Sequence, residues 1–151
     1  MQNTALASTI ALAFALTACA TPTPLGAKPL PAPTGGVALA GGVWKIVEIA
    51  GVPVLPQVPV TIEFKDGRVF GAGSCNRFTG GYEAGAAFEI KLGMMASTMM
   101  ACPDPQMRQE QALLALLGNV KGYRIDASGH LVLTAADGRT LKARRQALLR
   151  G

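Results

Sequence analysis

The chain has 151 residues, half of them hydrophobic and only 15% charged, and carries a net charge of +5. That length favours a single domain. The basic excess suits anionic surfaces. However, the cations are scattered except for Arg139, Lys142, Arg144, Arg145 and Arg150, no aromatics are interleaved with them, and no zinc-finger or helix-turn-helix spacing occurs, which sets nucleic-acid binding aside.

Residues Ala5 to Ala18 are apolar or small, interrupted only by Ser8, Thr9 and Thr17. The run is too short to cross a bilayer, which takes about 20 residues, and it has the length of a signal-peptide core. Leu16-Thr17-Ala18-Cys19 follows and resembles the lipobox of bacterial lipoproteins, in which the cysteine receives a diacylglycerol and becomes the new N-terminus. Met1 to Thr4 lack the basic residue that usually starts such a leader. The plain alternative is a secreted protein cut near Ala18 or Ala20. The reading is therefore a leader over 1–18 with Cys19 as the lipid attachment point. Ala20, rather than Asp, after the cysteine implies, by the same resemblance, outer-membrane sorting with the domain facing the periplasm.

Residues 19–41 hold five prolines and no apolar periodicity. They read as an extended tether reaching roughly 70 Å at about 3.1 Å per residue. The domain proper is expected over 42–145, with a basic tail at 146–151.

Val43 to Ile49 is β-branched and partly alternating, a strand. Val58 to Phe64 is a second, with Val60, Ile62 and Phe64 on one face. Asp66-Gly67 supplies a two-residue turn into a strand from Arg68 to Gly73. Phe88 to Leu92 alternates cleanly. Asp104-Pro105 opens a helix, with Asp104 as N-cap, an apolar stripe of Met107, Leu113, Leu114 and Leu117, and Gly118 closing it in the left-handed conformation. Three short strands follow, at Gly122–Ile125, His130–Thr134 and Arg139–Ala143. The fold class is mainly β: a small antiparallel barrel-like or strongly bent sheet of six or seven strands with one covering helix.

With Cys19 lipidated, Cys75 and Cys102 remain as an even pair, and an exported domain meets an oxidising compartment, so they are read as a disulfide. Closing that loop stabilises by roughly 3.5 kcal/mol in the chain-entropy account. A free redox or nucleophilic thiol is the alternative, without Cys-x-x-Cys spacing to support it.

Gly73-Ser74-Cys75-Asn76-Arg77-Phe78-Thr79-Gly80-Gly81-Tyr82 resembles the Gly-Cys-Asn-x-Phe-x-Gly-x-Tyr segment of META domains, the HslJ-like heat-shock lipoprotein family. Thr98-Met99-Met100-Ala101-Cys102 is similar to that family's Thr-x-Met-Ala-Cys segment. Trp44 and Leu131-Val132-Leu133 match its first and late strands. Ser74 stands where the family has glycine, and one extra glycine separates Phe78 from Tyr82. The resemblance covers about Val43 to Ala143. It implies a barrel-like domain with one helix, an envelope location, an association with stress tolerance, and no catalytic residues. Pilot lipoproteins of secretion systems are similar in fold and hold lipid or peptide tails in an apolar interior.

No catalytic constellation appears. His130 is the single histidine and reads as a solvent-facing side chain. Glu48, Glu63, Glu83 and Glu89 read as polar faces and loop edges, and no phosphate-cradling loop precedes a helix. The expectation is a protein that is not an enzyme and has no cofactor or metal. Four methionines, Met94, Met95, Met99 and Met100, read as core filling or as the lining of an adaptable apolar groove. Three functions remain: a lipid-anchored module binding a hydrophobic ligand or protein segment, an envelope assembly protein contacting anionic lipid or a partner, and a periplasmic Cu(I) binder using those thioethers.

Overall fold

The computed structural model describes residues 39–146; the apolar leader, Cys19, the prolines before Leu39 and Arg150 lie outside the described residues. Ten strands and one helix follow in order: β1 (Val43–Ile49), β2 (Val52–Pro53), β3 (Thr61–Lys65), β4 (Arg68–Ala72), β5 (Arg77–Ala84), β6 (Ile90–Leu92), β7 (Ala96–Ser97), α1 (Asp104–Leu117), β8 (Val120–Ile125), β9 (Leu131–Ala135) and β10 (Thr140–Arg145).

All pairings are antiparallel, in the spatial order β6-β5-β4-β3-β1-β10-β9-β8, with β2 added to β1 and β7 to β5. The two ends of this sheet meet where Glu89 bridges Gly122 and the Tyr123 N–H donates to the Phe88 carbonyl at 2.9 Å. The result is a nearly closed barrel, the expected class. Alternation places Trp44, Ile46, Ile62, Phe64, Leu131, Leu133 and Leu141 inside, all essentially without solvent contact.

Two hairpins use the same turn chemistry. Asp66 and Gly67 have φ of 49° and 73°, as the Asp-Gly pair predicts, and Ala50 and Gly51 repeat it at 51° and 81° between β1 and β2. Other elements differ from the sequence reading. The longest strand, β5, is absent from it, because Gly80 and Gly81 dilute its alternation. Met95 lies over Gly80, so that a Cβ there would sit 2.8 Å from its methyl carbon and the thioether would have to shift. The strand expected from Phe88 begins only at Ile90. Ala87 and Phe88 take left-handed φ values of 55° and 65°, and Phe88 turns outward to meet Tyr123 edge-on at 5.9 Å.

The helix falls where expected, but its ends are built differently. Pro103 is the N-cap, extended at φ −55° and ψ 146°, so Asp104 is the first helical residue and makes no side-chain cap. Its charge still favours the positive end of the helix dipole. Gly118 stays right-handed at φ −64°; the Asn119 side chain closes the end by donating to the Ala115 carbonyl at 2.8 Å. The inward stripe is Glu110, Leu113, Leu116 and Leu117 rather than the one starting at Met107. Its contacts reach the end of β1, the β4–β5 link and the start of β8. In this antiparallel topology those points share one end of the barrel, which α1 covers.

Candidate functional site

At that covered end the two cysteine segments and the helix are tied into one polar clamp. Cys75 and Cys102 form a disulfide with Cα atoms 6.0 Å apart. Beside it, the Glu110 carboxylate is 5% exposed and accepts three N–H donors. Oε2 takes the backbone N–H groups of Cys75 at 2.7 Å and Asn76 at 2.6 Å, and Oε1 takes Asn76 Nδ2 at 2.7 Å. Asn76 in turn accepts at Oδ1 from Thr98 Oγ1 at 2.8 Å and from the Met100 N–H at 2.6 Å, and its Nδ2 also donates to the Met100 carbonyl at 3.3 Å. The full donor and acceptor capacity of one amide is thus spent joining β5, the segment before α1, and α1 itself.

The spacing of the signature follows from this geometry. Gly73 must lack a side chain, because a Cβ there would stand 2.6 Å from Glu110 Oε2. Next to the clamp, Gln109 Nε2 donates to Ser74 Oγ at 2.6 Å while its Oε1 accepts the Leu55 N–H at 2.8 Å. Among the described residues, no buried side-chain nitrogen or oxygen lacks a partner. A clamp this fully satisfied fixes the shape of the covered end. The sequence reading missed Glu110, although its place three residues before Leu113 and seven before Leu117 puts it on the inward helix face.

The pinned Leu55 segment bounds an apolar cleft of about 370 Å³ between the β1–β2 hairpin and the first half of α1. Ile49, Ala50, Val52, Pro53, Leu55, Pro105 and Ala112 supply its apolar walls, with Gln109 and Arg108 at the polar side. Val52 is 65% exposed at the lip. Its size is at the lower end of the range for small-molecule sites. A shallower hollow of about 240 Å³ lies on the outer surface of β3, β4 and β5, around Glu63, Phe70 and Arg77.

The methionines are divided. Met94 and Met99 are 95% and 97% exposed, Met100 is exposed as well, and Met95 folds inward over Gly80. Neither the cleft nor the hollow includes any of them. His130 Nδ1 lies 3.5 Å from Asp126 Oδ1 in the β8–β9 turn. Asp126 is held below the usual carboxylate range, chiefly by the His130 backbone N–H and then that of Ser128, with the His130 and Arg124 charges adding to this. Asp137 is lowered in the same way by the backbone and side chain of Arg139. Burial raises Tyr82, assisted by the Asp66 charge. Of the cations clustered toward the C-terminus, Arg139 pairs with Asp137 at 2.7 Å, Lys142 with Glu48 at 3.2 Å, and Arg145 stacks over Trp44 at 4.8 Å, while the expected tail from 147 on lies outside the described residues. Among the described residues no cluster of His, Cys, Asp and Glu is arranged to hold a metal ion, and no helix is long and apolar enough to cross a membrane.

Solved structures share the fold. A protein from Burkholderia xenovorans determined by NMR superimposes with a TM-score of 0.61 at 22% identity, covering 85% of this chain and 100% of its own. A second NMR structure gives 0.54 at 24% identity, over 68% of this chain and 87% of that one. A DUF4847 family protein from Bacteroides vulgatus gives 0.52 at 17% identity, over 72% and 96%. No curated protein matches the chain significantly. The META domain model matches residues 37–148, a span that contains the whole barrel, the disulfide and the Glu110 clamp. The chain belongs to the META domain family.

Proposed function

We propose that this is a lipid-anchored protein of the cell envelope, not an enzyme, that holds a hydrophobic ligand or an extended apolar protein segment in the cleft between the β1–β2 hairpin and α1. The observation that carries the reading is the cleft itself. Its walls are mainly apolar, with Arg108 and Gln109 on one side, and its mouth opens beside the exposed Val52. A cleft of that composition gains by exchanging water for hydrocarbon. The envelope location rests on the lipobox-like Leu16-Thr17-Ala18-Cys19 and is supported by a disulfide that only an oxidising compartment maintains. Tethered through Cys19 and facing the periplasm from the outer membrane, the domain would serve stress tolerance by occupying such ligands. The four methionines are not needed for this role, since the cleft is built from other residues.

The test combines processing with binding. Expressed in a Gram-negative host, the chain is expected to lose Met1–Ala18 and gain the mass of a diacylglyceryl cysteine, and Cys19→Ser abolishes that gain. A fluorescent fatty acid is expected to bind saturably, and Val52→Asp at the exposed lip weakens it about 10-fold, the cost of a charge against an apolar wall. Unsaturable binding, or equal binding by Val52→Asp, overturns the ligand reading. An unmodified Cys19 overturns the anchor.

A further inference from the structure

The net charge of the barrel is not spread around it. Residues 39–146 contain twelve Lys and Arg and nine Asp and Glu. On β1, β10, β9 and β8 the pairing register fixes which side chains point outward together. Lys45 stands opposite Arg144, and Lys142 opposite Val132, which in turn stands opposite Arg124. Lys121 adds a further exposed cation at the irregular start of β8. The single carboxylate in these outward rows is Glu48, already paired with Lys142 at 3.2 Å. Asp126, at the end of β8 and within the field of Arg124, is the nearest further acid, so five cations face two acids and leave this face three charges positive, while the rest of the described chain, with seven cations and seven acids, is neutral.

Val132 records how those side chains lie. It points away from the core and belongs to no core cluster, yet it is 1% exposed. Its direct cross-strand neighbours are Lys142 and Arg124, whose long stems are within reach of an opposite residue on a sheet. Stems laid over an apolar residue with charged heads in water form a broad cationic surface. No aromatic side chain lies in these outward rows, since Trp44 and Tyr123 both turn inward, so the face has no platform on which bases would stack.

We infer that this face of β1, β10, β9 and β8 docks on an anionic phospholipid surface, with Lys45, Arg124, Arg144 and Lys121 meeting the phosphates. The partner is chosen on charge complementarity and on the envelope reading above, on which the inference rests for that choice alone. The face, not the chain end, carries the attraction, because Arg139 is engaged by Asp137 and Arg145 lies over Trp44.

The experiment measures partition of the full chain onto vesicles of phosphatidylglycerol with phosphatidylcholine, relative to phosphatidylcholine alone. Contributions from the leader or an acyl anchor are common to both and cancel in the ratio. Each cation near such a surface is worth about a factor of five, so the triple variant Lys45→Gln, Arg124→Gln, Arg144→Gln is expected to lower the ratio on the order of 100-fold. The control Lys65→Gln, Arg68→Gln, Arg77→Gln removes the same charge from the other side and keeps the ratio within about 5-fold. Salt raised from about 0.1 M to about 1 M, where screening shortens from about 10 Å to about 3 Å, removes the preference. Equal loss in both triple variants, no preference in the wild type, or tighter binding to a DNA duplex than to the vesicles, lost in the first triple, overturns the inference. A chain that retains Met1 but keeps the phosphatidylglycerol preference refutes the anchor and leaves this face standing.

Discussion

Glu110 replaces what would ordinarily be a leucine on the inward stripe of α1. Its two oxygens are each addressed by donors, so the site is specific for a carboxylate. Glu110→Gln, although nearly isosteric, must turn an NH2 group toward at least one of the N–H groups of Cys75 and Asn76 or toward Asn76 Nδ2. At least one buried hydrogen bond is lost and two donors confront each other, which costs about 2 to 3 kcal/mol. Urea unfolding that gives a midpoint unchanged from wild type would refute this account. Asp126 is a carboxylate held by backbone donors of its own turn. Its folded titration is lowered by the His130 and Ser128 N–H groups. The contribution it makes is therefore complete above the ordinary carboxylate value, about 3.9, and is lost as pH falls through the lower folded value. A side-chain NMR titration is expected to place Asp126 below that ordinary value, with Ser128 and His130 amides shifting in step; a midpoint at or above it contradicts the turn geometry. The cysteine pair was legible from counting alone, whereas the partners of Glu110 were not, because they come from a strand end 34 and 35 residues away.

At the scale of elements, legibility followed periodicity. β1 and β3 carry apolar alternation, β4, β8, β9 and β10 are short runs bounded by turn residues, and all were found within a few residues. β5 was hidden because Gly80 and Gly81 sit in its middle, and glycine weakens the very pattern that marks a strand. The two-residue strands β2 and β7 are too short to carry a pattern, and β2 is what shapes the cleft, so the ligand site could not be placed from sequence. The link from β7 to α1 is held twice, by the disulfide and by Asn76. Cys75→Ser with Cys102→Ser is expected to lower stability by about 3 kcal/mol, the loop-closure share. The Met100 amide should stay protected from hydrogen exchange, since its bond to Asn76 does not involve sulfur. Loss of that protection would show that the covalent link, not the amide, orders the segment.

For the whole molecule, the barrel sorts its chemistry by direction. One end is plugged by α1 and its clamp, the cleft opens beside that plug, and the wall of β1, β10, β9 and β8 carries the positive charge. The charge asymmetry escaped the linear reading because its members lie on separate strands and only the register makes them neighbours. That same register has a consequence for how the chain is made. β1, the first strand, is flanked by β3 on one side and by β10, the last strand, on the other. Contacts this distant in sequence form slowly. While the ribosome still holds residues 140–145, β1 lacks one neighbour and the wall has a gap, so the barrel closes only once β10 has emerged.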